Sequence, residues 1–157
     1  MTLDSATASF GEWLAGEFQS NPIYDPVRIH SGDDAAPASL MVRLGVGRSA
    51  CYLARVNAEA NSVEVGLATE GRMLNEALEQ MILDNGGDLD DLLADELCDL
   101  GEEPLSMRHF FERPAFYFVV PLPLQSPAEL DNPAFRNRVK VILAACKNLF
   151  QGCIDDA

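Results

Sequence analysis

The sequence predicts an α+β fold: an antiparallel sheet, made of a three-stranded meander plus a strand pair, flanked by N-terminal, middle and C-terminal helices. Three observations predict it. Runs of period two are contiguous from about 39 to 69. Runs with a period near 3.6 precede and follow them. A second pair of period-two runs then comes before a last helical run. Strands that follow one another favour antiparallel pairing over a parallel doubly wound sheet. At 157 residues and 48% apolar content the chain has the size and core material of a single domain, 1–157.

The first helix is expected over about 5–19. Phe10, Trp13, Leu14 and Phe18 fall at i, i+3, i+4 and i+8, one face of an amphipathic helix. Asp4 or Ser5 supplies a short side-chain oxygen to cap its start, and Pro22 in "SNP" ends it. "VRIH" alternates and fits a short strand, and "SGDDAAPA" is turn-rich. In "SLMVRLGVG" the apolar positions are Leu40, Val42, Leu44 and Val46. "ACYLARVNA" sets Cys51, Leu53 and Arg55 against Tyr52, Ala54 and Val56. "SVEVGLATE" aligns Val63, Val65 and Leu67. The separators "GRS" and "AEAN" suit hairpins.

Met73, Leu74, Ala77, Leu78, Met81 and Ile82 return to helical spacing over about 71–84. The glycines of "DNGGD" interrupt it, as a helix end does. Leu89, Leu92, Leu93, Leu97 and Leu100 resume it over about 88–99. "MRHFF" and "AFYFVVPLPL" form a strand pair around "ERP", and Pro121 and Pro123 put the end of the second strand at a sheet edge or outside the sheet. "DNPAF" starts the last helix, about 132–154, with Asp131 or Asn132 as cap and Pro133 in the first turn. Phe135, Val139, Ile142, Leu143, Cys146, Phe150 and Cys153 line its apolar face.

Charge narrows the function classes. The net charge of -14 argues against nucleic acid and against anionic membranes. It favours a soluble protein with a basic partner or none. No apolar run approaches the length of a membrane span, and "MTLDSATASFGEWL" lacks the basic and apolar regions of a secretory signal. Cys51, Cys98, Cys146 and Cys153 are scattered without CxxC spacing. They read as reduced, mostly buried thiols of a cytoplasmic protein.

No motif identifies a reaction, and no catalytic, cofactor or metal residue is assigned. "DNGGDLDDLLADELCDLGEE" holds nine acids and no base. As a calcium loop counted from Asp84 it places Gly86 at the third position and Leu89 where the turn glycine belongs. It reads instead as a helix break followed by the solvated face of an amphipathic helix, with Asp88, Asp90 and Asp91 at the positive end of the dipole. His30, His109 and the cysteines lack zinc spacing. His30, Ser31 and Asp33 are adjacent in "HSGDD" but point in different directions and have no nucleophile elbow. "GVGRSA" has neither a third glycine nor a Walker lysine. From Met73 to Met107 there are eleven acids and no base. Arg136, Arg138, Lys140 and Lys147 of the last helix are candidate counter-charges, within one molecule or across a dimer; the other reading is that the acidic surface recruits a basic partner.

The pieces "FGEWLAGEF", "LMVRLGV…ACYLARV…VEVGLATE", "MLNEALEQMIL", "FYFVVPLPL" and "NPAFRNRVKVILAACKNLF" cover most of the chain. Their order and acidity are similar to the type III secretion chaperone-like fold, which includes the secretion chaperones and the YbjN family. "NPIYDPV" stands where such chaperones have a Leu/Pro/Phe-Asp stretch, and "DNGGDLDDLLADELCDL" lengthens the middle helical region. YbjN-like proteins are the closer match.

The resemblance implies a non-enzymatic, often dimeric, regulatory or protein-binding role. The expected partner is a basic or amphipathic protein segment. The expected anchors are the exposed members of Phe10, Trp13, Phe18, Leu89, Leu92, Leu93 and Leu97. The alternatives are a small enzyme with a loop-built site near His30, Asp33 and Asp34, or a purely structural assembly subunit.

Overall fold

The computed structural model describes residues 5–31 and 39–156. In chain order the elements are α1 (Ser5–Phe18), β1 (Val27–Ser31), β2 (Ser39–Val46), β3 (Ala50–Asn57), β4 (Ser62–Thr69), α2 (Arg72–Asp84), α3 (Leu89–Asp99), β5 (Arg108–Glu112), β6 (Ala115–Pro123) and α4 (Pro133–Asp156). A 3-10 helix, Pro127–Asp131, leads into α4 and has no counterpart in the predicted elements. The class is α+β as predicted. The six strands form one antiparallel sheet in the order β1-β2-β3-β4-β6-β5. The "VRIH" stretch extends the meander to four strands. Asp4, Asp33, Asp34 and most of the "SGDDAAPA" loop lie outside the described residues.

Alternation decides which face is covered. Val42, Leu44, Tyr52, Ala54, Val56, Val63, Val65, Leu67, Phe118, Val120 and Leu122 point to one side. There they join Phe10 and Leu14 of α1, Leu78 of α2, Leu93 and Leu97 of α3, and Phe150 of α4 in one buried core. All four helices therefore lie on the same side of the sheet, with α3 packed against α4 rather than on the strands. Cys51, Leu53, Ala68, Ala115, Tyr117 and Val119 take the opposite phase and form a second, smaller cluster made of sheet residues alone.

Local signals explain the boundaries. Asn132 caps α4, its Oδ1 accepting the Ala134 N–H at 2.8 Å, and Asp88 caps α3 by accepting from Asp91 at 3.2 Å. Both middle helices stop at positive-φ glycines. Gly87 donates to the Ile82 carbonyl and Gly86 to Leu83, while Glu102 donates to Leu97 and Gly101 to Cys98. Each is the paired closure of a Schellman motif.

The prolines of β6 also have a physical place. The Leu124 N–H donates to Asn61 on the β4 side. Counting back by two, the nitrogens of Pro121 and Pro123 face the other side, where β5 has already ended at Arg108 opposite Val119. Among the described residues no helix is long and apolar enough to cross a membrane.

Candidate functional site

The candidate site is the face of the sheet that no described helix covers. It is apolar at its centre, where Leu53 and Val119 are fully buried. Around them stands a layer of arginines and aromatic rings. The two ends of that layer differ.

At the β4–β6–β5 end Arg55 and Arg108 are both paired. Arg55 lies 2.7 Å from Glu64 and 3.1 Å from Glu112, with its guanidinium 5.0 Å over the Tyr117 ring. Arg108 lies 3.5 Å from Glu64 and 4.9 Å over Phe110. Phe110 and Tyr117 stack at 5.4 Å. Charge-assisted hydrogen bonds and ring contacts here satisfy one another within the molecule.

The β1–β2 end is built otherwise. The chain before β1 crosses β2 closely: Asp25 donates to the Gly45 carbonyl and Gly45 donates to Pro26, both at 2.9 Å. A Cβ on residue 45 would stand 2.6 Å from the Asp25 carbonyl oxygen, so only glycine permits this crossing. Beside it opens a cleft of about 260 Å³, lined among others by Pro26, Arg28, His30, Arg43, Arg48 and Glu70.

Register puts Arg28 directly opposite Arg43, and Arg48 reaches the cleft from the β2–β3 hairpin. Arg43 is half-buried and held in place. Its Nε donates to Cys51 Sγ at 3.4 Å, and a guanidinium nitrogen lies 3.9 Å from Glu70. Arg28 and Arg48 are exposed, and among the described residues neither has a carboxylate within ion-pair distance. Burial pushes the Cys51 thiol up, against the opposing hydrogen bond from Arg43. It stays a neutral thiol at neutral pH, which is not the nucleophilic form.

The sequence-predicted anchors separate into two groups. Phe10, Leu93 and Leu97 are fully buried and belong to the core; they have no surface to offer a partner. Trp13, Phe18, Leu89 and Leu92 are half-buried and pack against that core. The Arg136 guanidinium covers Trp13 at 4.9 Å, and Phe18 meets Tyr24 edge-on at 5.3 Å. Their apolar surface is engaged mainly inside the molecule. His30 does line the cleft, but Asp33, its proposed companion, lies outside the described residues.

The acidic stretch is resolved in detail. Asp88 caps α3, and Asp90 accepts the Met107 N–H at 2.8 Å, tying the start of β5 to α3. Glu102 lies 3.5 Å from Arg138 of α4, too poorly aligned for a hydrogen bond. The other expected counter-charges go elsewhere: Arg136 to Asp131, Lys140 to Glu17, and Lys147 to the Tyr24 ring. Among the described residues, self-neutralisation between the acidic stretch and α4 is thus one pair deep, and that pair comes from Glu102, just past the end of α3. Asp91, Asp95 and Asp99 remain exposed. Among the described residues no three His, Cys, Asp or Glu side chains converge on a metal-sized point. All four cysteines are free.

Sequence reasoning missed the arginine cleft. The available signal was the shared phase of Arg28 in "VRIH" and Arg43 in "MVRL". Comparison with known proteins adds no family: no family model, no curated protein and no solved structure matches the chain.

Proposed function

We propose that this chain is a non-enzymatic protein-binding module, and that a partner segment docks on the open face of the sheet. The observation that carries this reading is the one-sided layering. The helices lie on one side of the sheet; on the other, Leu53 and Val119 are already buried by their own neighbours, and the surface a partner would meet is the layer of arginines with the half-buried Met41 and Phe110. Arginine and aromatic side chains are the residues that anchor interfaces, because each brings a large contact area together with a polar handle.

The occupant we infer is an extended or amphipathic segment lying across the strands. Charge acts on it at two ranges. At a distance the chain's -14 attracts a partner of net positive charge. At contact the arginines accept a carboxylate. This role agrees with the resemblance to YbjN-like and secretion chaperone-like proteins. A homodimer belongs to the same proposal. The free edge of β5 carries Phe111, 57% exposed and 4.8 Å from Phe116, an apolar pair for a second copy to cover. Light scattering at twice the monomer mass is the expected result.

A photo-crosslinking residue placed at Met41, on the open face, and in a second protein at Asp95, on the exposed side of α3, tests the docking site. The proposal expects a discrete adduct from position 41 and none from 95. Adducts from 95 alone, or from neither position, overturn it.

A further inference from the structure

We propose that the cleft ringed by Arg28, Arg43 and Arg48 is an oxyanion site, taking a carboxylate or phosphate group on its guanidinium forks. This goes beyond the docking reading, since the site is defined by its own side chains.

Three independent observations lead to it. The first is a local reversal of charge. Three arginines against Glu70 leave the cleft with two positive charges, in a chain whose net charge is -14. With a Debye length of about 8 Å at physiological ionic strength, an anion seated here responds first to the charges that line the cleft.

The second is an unfavourable arrangement that the described residues compensate only weakly. Arg28 and Arg43 are directly opposite across an antiparallel pair, where like charges repel. Other arginines of this face show the usual remedy, a carboxylate at 2.7–3.5 Å. Arg28 and Arg48 have none among the described residues, and Arg43 reaches Glu70 only at 3.9 Å. A bound anion would relieve the repulsion. Places where a sequence breaks a local rule in this way are often functional.

The third is preorganisation. Arg43 is held by Cys51 from beneath, and the rigid Asp25–Gly45 crossing walls one side. A planar fork already fixed in direction loses little freedom on binding a carboxylate or phosphate edge.

Amide NMR of the full chain, titrated at constant ionic strength with sodium phosphate and separately with sodium acetate, tests the site. Saturable shifts confined to residues around 26–30 and 43–51 are expected. Tighter phosphate binding identifies a phosphate group as the natural occupant, and tighter acetate binding a carboxylate. The Arg28→Gln/Arg48→Gln variant is expected to bind at least about tenfold more weakly, as loss of charge-assisted bonds implies. Arg113→Gln, in the β5–β6 turn, is expected to bind as wild type does. If the double variant loses dispersion, Arg48→Gln alone serves, since that side chain is exposed in a turn. Strictly linear shifts with both anions overturn the proposal. So does unchanged affinity in a folded Arg28→Gln/Arg48→Gln protein. Either failure leaves the docking reading standing, because the crosslinking test does not depend on anion binding.

Discussion

The two ends of the open sheet face use the same residue type to opposite effect. At one end Arg55 and Arg108 share Glu64, and Arg55 adds Glu112. At the other end Arg28 and Arg48 have no carboxylate among the described residues, and Arg43 has one distant partner. The difference teaches that arginine content alone says little about a surface. What counts is whether the strand register brings an acid within reach: Glu64 stands opposite Arg55, and Arg108 meets the same carboxylate from across β6. Arg55 is aligned with Glu64, whereas Arg43 lies between Arg28 and Leu53. One end is closed by its own chain; at the other, Arg28 and Arg48 have no carboxylate within ion-pair distance among the described residues.

The comparison can be broken most severely at Gly45. Gly45→Ala drives a methyl into the Asp25 backbone carbonyl, and backbone cannot rotate aside as a side chain would. A loss of about 1–3 kcal/mol is expected from overpacking of this kind, read as a lower urea midpoint. The same substitution should widen the cleft and abolish anion-dependent shifts there.

A smaller effect is expected from Glu64→Gln at the paired end. It removes the carboxylate shared by Arg55 and Arg108. The loss should be about 1 kcal/mol, because the pair is only partly shielded from solvent. This variant also sharpens the contrast: Arg55 and Arg108, freed of Glu64, should now respond to phosphate where the wild type does not.

The smallest effect is pH-dependent and belongs to Glu79 on the helical side. His109 stacks on Phe118 at 3.8 Å, its Nδ1–H donates to the Tyr117 carbonyl, and its Nε2 meets Glu79 at 3.0 Å. Hydrogen bonds from His109, and then from Asn75, hold the Glu79 carboxyl below its usual range. A carboxyl lowered in the folded state adds stability above its unfolded pKa. That stability is lost as pH falls through the folded value. The difference in urea midpoint between wild type and Glu79→Gln should therefore close as pH falls through and below the ordinary carboxylate range. A difference independent of pH would contradict this account.

Much of the fold was legible in the residues because each element carried its own signal. Period two placed β2, β3 and β4, and it set Cys51, Leu53 and Arg55 on the face opposite Tyr52, Ala54 and Val56. Gly86 and Gly87 marked the end of α2, and Asn132 with Pro133 marked the start of α4.

The site was not legible, and two physical reasons explain why. An apolar stripe identifies a helix face but does not say whether that face meets the sheet or a partner. Phe10, Leu93 and Leu97 proved to be core. Strand phase identifies which residues share a face, but not which residue on the next strand stands opposite. Nothing in "VRIHSGDDAAPASLMVRLG" fixes Arg28 against Arg43. That pairing emerges only from the register.

The most direct measurement is the arginine side-chain NMR spectrum, in which the Nε–H signals of Arg43 and Arg55 are followed together as phosphate is added. Arg43 is expected to shift saturably while Arg55, held by Glu64 and Glu112, stays still. Parallel, unsaturable drift of both signals would contradict it.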